Sequence, residues 1–152
     1  MEKPRFIIFG LQTNRKYNNS ENASRFDHCD WTNLKVFLNF QYYPYGNMNI
    51  NIAENVYAVL YDMYAWFQSV YYHGNGNYTE QIMNRTDFKN YAPVTVIDCS
   101  KQDKFSKQAA VDVRIKFELT NDIPNQTAAY CLILHDRIMK YNLISGDVKK
   151  IV

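Results

Sequence analysis

Asp27-His28-Cys29-Asp30 puts three types of metal-ligating side chain into one short stretch. Such a set could hold a metal ion such as zinc. On an extended chain, however, adjacent side chains point to opposite faces and do not converge on one ion. The stretch is therefore expected to be a loop leading into a strand, without a metal. Cys99 after Asp98 and His135 before Asp136 would form a Cys-His couple only if two strands brought them together, and their spacing does not require it. A buried Cys ordinarily acts as a small apolar residue. Asp62 stands among tyrosines and calls for a hydroxyl or a basic partner rather than a catalytic role. Asp112 and Glu118 fall on the face opposite Val113 and Phe117 and solubilise it. GxGxxG, Walker, HExxH, GxSxG and CxxC patterns do not occur. The residues thus predict no catalytic site, no cofactor, no metal and no enzyme.

The elements that would position these residues are mostly strands. Arg5 to Thr13 is β-branched and aromatic and runs into a polar loop. From Asn33 to Tyr43 the chain alternates, with Leu34, Val36, Leu38, Phe40 and Tyr42 on one face, until Pro44-Tyr45-Gly46 turns it. The period then changes. Val56, Leu60, Met63, Phe67 and Val70 line one face of a helix expected over Ala53 to Tyr72, with Asn51 and Glu54 placed as a capping box. Tyr57, Tyr61, Tyr64, Trp66, Tyr71 and Tyr72 crowd its other faces, so a second surface is expected to cover them. His73 to Asn77 breaks this helix, and Thr86 to Asn90 adds a short helical turn before Pro93. Val94 to Cys99, Val111 to Leu119 and Ala128 to Tyr141 read as strands, the last ending in the turn Ser145-Gly146-Asp147.

At 152 residues and 18.0 kDa, with 47% hydrophobic side chains and no internal repeat or linker, residues 1–152 are expected to form a single domain. Seventeen basic against fifteen acidic side chains give +2, without a basic stripe, so no direct nucleic-acid contact is expected. No apolar run approaches the roughly 18 residues of a membrane span, and no signal peptide is evident, so a soluble intracellular protein with no membrane contact is expected. Cys29, Cys99 and Cys131 are an odd, widely spaced set and read as reduced thiols. The 16% aromatic content, 13 tyrosines included, points to interfaces rather than to chemistry.

Six segments carry a resemblance: EKPRFIIFGLQTNRK, FDHCDWTNLKVFLNFQYYPYGN, YAVLYDMYAWFQSVYY, VIDCSKQ, VDVRIKFE and TAAYCLILHDRIMKYNLISGDVKK. Together they resemble the C-terminal part of double jelly-roll-like domain proteins encoded by insect genomes, which look related to major capsid proteins of polinton-type DNA viruses. The resemblance implies a structural shell protein with two jelly rolls per subunit, three subunits per pseudo-hexagonal capsomer and no enzymatic site. It places the protein in the cytoplasm or nucleus of a host cell, or in a virion. The strands counted here are too few for a complete eight-stranded jelly roll. The expected fold is therefore mainly β: an incomplete, jelly-roll-like antiparallel β-sandwich with one long external amphipathic helix.

Two functions follow from these readings. One is self-association, or co-assembly with a full-length relative, as a capsid-type protein or its domesticated descendant. The other is a ligand-binding β-sandwich that takes a glycan or a protein, with tyrosines stacking on sugar rings. For the first, the expected interface is the first strand at Phe6, Ile8 and Leu11, whose missing neighbour would lie upstream, and the aromatic helix face at Tyr57, Tyr61 and Tyr64.

Overall fold

The computed structural model describes residues 4–72, 81–101, 111–136 and 138–151. The expected helix break at His73 to Asn77 lies outside the described residues. In chain order the elements are β1 (Pro4–Thr13), β2 (Trp31–Leu38), β3 (Gln41–Tyr43), α1 (Ala58–Tyr72), α2 (Arg85–Tyr91), β4 (Thr95–Asp98), β5 (Val113–Leu119), β6 (Thr127–His135), β7 (Ile138–Tyr141) and β8 (Val148–Ile151). Among the described residues they form two three-stranded sheets, ordered β4-β1-β6 and β3-β2-β5, and a separate β7-β8 hairpin. Every pairing is antiparallel.

The alternation of β1 divides its side chains between two faces. Ile7, Phe9 and Leu11 point inward and are buried against Leu34, Val36 and Leu38 of β2. Phe9 joins the sheets directly, stacking on Trp31 at 5.7 Å and tilting against Phe117 of β5 at 5.3 Å. Each such ring pair adds about 0.5–1.5 kcal/mol beyond the area it buries. On the outer face Phe6 meets Phe67 of α1 edge-on at 5.0 Å. Farther along, Phe26 lies over Gly10, where an added Cβ would come within 2.5 Å of the ring, so only glycine admits it. Gln12 donates from Nε2 to the carbonyls of Ala23 and Arg25, both at 2.8 Å, and ties the polar loop down.

Two local expectations fail, each for a backbone reason. Phe40 is fully exposed at 102%, and Tyr43 rather than Tyr42 is buried. Asn39 takes φ 54° and the chain reverses through Asn39-Phe40, which places Tyr43 opposite Val36 and flips the parity of everything after Leu38. The helix also begins later than Ala53. Glu54 does donate its N–H to Asn51 Oδ1 at 3.2 Å, as a capping box requires, but Asn55 adopts φ 61°. Val56 then pairs back to Asn51 through two backbone hydrogen bonds, of 2.9 and 2.7 Å, and the helix starts only at Ala58. Its buried line is Leu60, Tyr64 and Gln68, while Val56 is 52% exposed. The short turn near Thr86 is α2, capped by Asn84, whose Oδ1 accepts the Asp87 N–H at 2.9 Å.

From the sequence, a missing neighbour of β1 is expected upstream. β1 is instead the central strand of its sheet, with β4 on one side and β6 on the other.

The revised helix face yields a direct comparison. Tyr64→Ala should lower stability by about 3 kcal/mol, as for other large buried rings, whereas Val56→Asp should stay within about 0.5 kcal/mol. Urea unfolding of the two variants checks this, and a large loss at Val56 would restore the earlier face.

Candidate association surface

The six residues proposed for an interface are placed within the chain's own packing. Phe6 and Leu11 are buried and Ile8 is half-buried. Tyr57 and Tyr61 donate their hydroxyls to the carbonyls of Arg85 and Met83, at 3.3 and 3.1 Å. The amide of Met83 donates to the hydroxyl of Tyr64 at 3.2 Å. Tyr61 and Tyr64 both pack on Phe88 of α2, with ring centroids 5.6 and 5.2 Å apart. The surface that covers these tyrosines is therefore α2 and the segment leading into it. Aromatic excess signalled a partner but not that the partner was in the same chain.

The chemistry-bearing groups do not converge. Asp27 pairs with Arg15 and accepts the Thr13 N–H at 2.8 Å, so it fastens the loop to β1. His28 Nδ1 accepts the Asp30 N–H at 3.1 Å. Cys29 and Asp30 both take positive φ, 44° and 49°, turning the chain into β2. Burial pushes the Cys29 thiol up, away from the thiolate that metal or nucleophilic work needs. Cys99 and His135 lie on opposite sides of β1, since β4 and β6 flank it, which separates them by two strand spacings or about 10 Å. Asp62 is exposed. Among the described residues no group of three His, Cys, Asp or Glu side chains gathers to hold a metal ion.

What the fold does leave uncovered is β6. It pairs with β1 along its whole length, from Thr13↔Thr127 to Pro4↔His135, and its other edge has no strand beside it among the described residues. Its nine residues, TAAYCLILH, hold no Asp, Glu, Lys, Arg or Pro. Ala129 and Cys131 stand opposite Leu11 and Phe9 and share their inward face, yet both are exposed, whereas Ile133, opposite Ile7, is half-buried and packs against the core. Tyr130 and Leu132, on the outer face, are also exposed, Leu132 by 56%. The β7-β8 hairpin follows almost at once and exposes Met139, Tyr141, Leu143, Ile144 and Val148. By contrast β5, the edge of the second sheet, carries Arg114, Lys116 and Glu118 on its exposed face. There Lys116 sits 2.9 Å from Glu118, and its hydrogen bond holds that carboxyl below the usual range. Charges of this kind discourage strand addition, and β6 lacks them.

Two stacked antiparallel sheets joined through an aromatic core define a jelly-roll-like β-sandwich. The model of the double jelly roll-like domain matches residues 1–139, and the chain belongs to that family. No curated protein and no solved structure matches it. Among the described residues no helix is long and apolar enough to cross a membrane.

The buried thiol gives a pH test of the core. Burial pushes Cys99 up to about 12 from an ordinary 9.0. The unfolded thiol ionises first, so the stabilisation is intact below pH 9 and is lost as pH rises toward 12, by at most about 1.4 kcal/mol per unit. Between pH 8 and pH 10, Cys99→Ala should lose less stability than the parent in urea unfolding. Equal losses would contradict the placement of this thiol.

Proposed function

We propose that this protein is a capsid-type structural protein, or a domesticated descendant of one, that works by association and performs no catalysis. Its lineage on this reading is that of the insect-encoded relatives of polinton-type capsid proteins, and the chain corresponds to their C-terminal part. The partner is a second copy or a full-length relative, assembled around a trimeric capsomer-like contact in the cytoplasm or nucleus, or in a virion. Neither a membrane nor nucleic acid takes part directly. Membership in the double jelly roll-like family supports a structural role.

The observation that carries the reading is β6: a nine-residue edge strand without a charge or a proline, exposed on both faces at Ala129, Tyr130, Cys131 and Leu132. Such an edge offers unpaired backbone donors and acceptors with apolar side chains on either side of them, the combination that recruits another strand. A specific contact of this kind buries at least roughly 1,000 Å² in total. The β7-β8 hairpin, which follows β6 in the chain, also exposes apolar side chains at Met139, Tyr141 and Val148.

Sedimentation velocity over a concentration series tests this. The parent should associate as concentration rises, and Leu132→Lys should remain a monomer with stability changed by no more than about 0.5 kcal/mol. A parent that stays monomeric at every concentration, alone and with a full-length relative, refutes the association reading and returns the ligand-binding sandwich to first place.

A further inference from the structure

On the opposite flank of the first sheet, away from β6, α1 and the β4 end of the sheet enclose a cleft of about 180 Å³. Met63, Trp66 and Phe67 enter it from one face of α1, Tyr43 from the end of β3, and Phe6 from the outer face of β1. The register pairs Asp98 with Phe6, and Asp98 is the acidic residue in the cleft's otherwise apolar and aromatic lining. Asp98 Oδ1 accepts the Ser100 N–H at 2.8 Å, which fixes the carboxylate in place. Among the described residues no Lys or Arg forms an ion pair with it. Phe6 and Phe67 hold each other edge to face at 5.0 Å and the Arg5 guanidinium lies over the Phe6 ring at 5.4 Å, while Trp66 is 59% exposed with no such cation over it among the described residues.

We propose that this cleft binds an alkylated ammonium group. Aromatic faces attract a cation through the negative potential above their rings, and tryptophan does so most strongly. A carboxylate in an apolar wall favours a ligand that brings positive charge, because a neutral occupant would strip water from Asp98 and return nothing. A bare ammonium would itself lose strong hydration on entry, whereas methyl or alkyl substituents spread the charge over a surface that matches Met63, Phe67 and Phe6. The volume is below that of drug-sized sites, which suits one small head group rather than a large ligand. The site is separate from the β6 edge and stands or falls independently of association.

The test is titration by NMR, following the Met63 methyl resonance, with choline, with its neutral carbon isostere in which tert-butyl replaces trimethylammonium, and with an acetylated trimethyl-lysine amide. Choline or the trimethyl-lysine should bind saturably and about five-fold or more tighter than the isostere. Whichever of the two binds tighter identifies a free small cation or a modified side chain as the source. Asp98→Asn, which keeps an oxygen for the Ser100 amide, should abolish the preference with the thermal midpoint retained. Trp66→Leu should weaken the cations more than the isostere. Equal affinity for cation and isostere, absence of saturation by either cation, or an unchanged preference in Asp98→Asn would overturn the proposal.

Discussion

Phe9 holds this fold together by touching both sheets at once: it sits in β1, stacks on Trp31 at 5.7 Å and leans on Phe117 at 5.3 Å. Because β1 is also the middle strand of its own sheet, its inner face sets the core and its outer face sets what lies above the sheet. Phe6 seats α1 through Phe67, Gly10 leaves room for Phe26, and Gln12 binds the following loop. Loss of β1 would remove the partner of both flanking strands and the floor beneath the helix. Apolar burial rather than buried charge carries this organisation, since the buried polar residues among the described ones are Gln12, Asn33, Gln68 and Thr95, all uncharged.

The same strand explains why one flank of the sandwich is open. Burial requires a partner on the facing sheet, and Ala129 and Cys131 of β6 are exposed although Leu11 and Phe9 beside them are covered, while Ile133 farther along β6 packs against the core. On the other flank α1 packs against β4, which like β6 has a strand on one side only among the described residues. The molecule is therefore asymmetric, with a helix-covered side that holds a small aromatic cleft and a bare side that ends in an uncharged strand. A jelly roll places four strands in each sheet, and each sheet here has three among the described residues. Strand addition at β6 would supply one of the differences.

Much of this was legible in the residues. The alternation of Leu34, Val36 and Leu38 against Lys35 and Phe37, and of Val113, Ile115, Phe117 and Leu119 against three charges, matches strands β2 and β5 with the buried side assigned correctly. What failed were single-residue backbone choices. Asn39 and Asn55 enter the left-handed region, and each ended a period that hydrophobicity alone would have continued. Tyr61 and Tyr64 of α1 do lie on a covered face, with the cover coming from Phe88 of the same chain, which periodicity does not say, while Tyr71 and Tyr72 are exposed. The uncharged run Thr127–His135 was visible as a strand; its place at an edge depends on topology, which local pattern does not encode. The cleft was invisible for the same reason, since Phe6, Trp66 and Asp98 are far apart in sequence and meet only through the β1-β4 register.

The central claim, that β6 is an open edge which a second chain completes, is tested most directly by amide hydrogen exchange at low and at high protein concentration. The account expects the amides of β1 to be protected at both concentrations, because its neighbours lie within the chain. Those β6 amides that point away from β1 should exchange freely in dilute solution and become protected as concentration rises. Equal exchange at these amides at both concentrations, whether fast or slow, would contradict it.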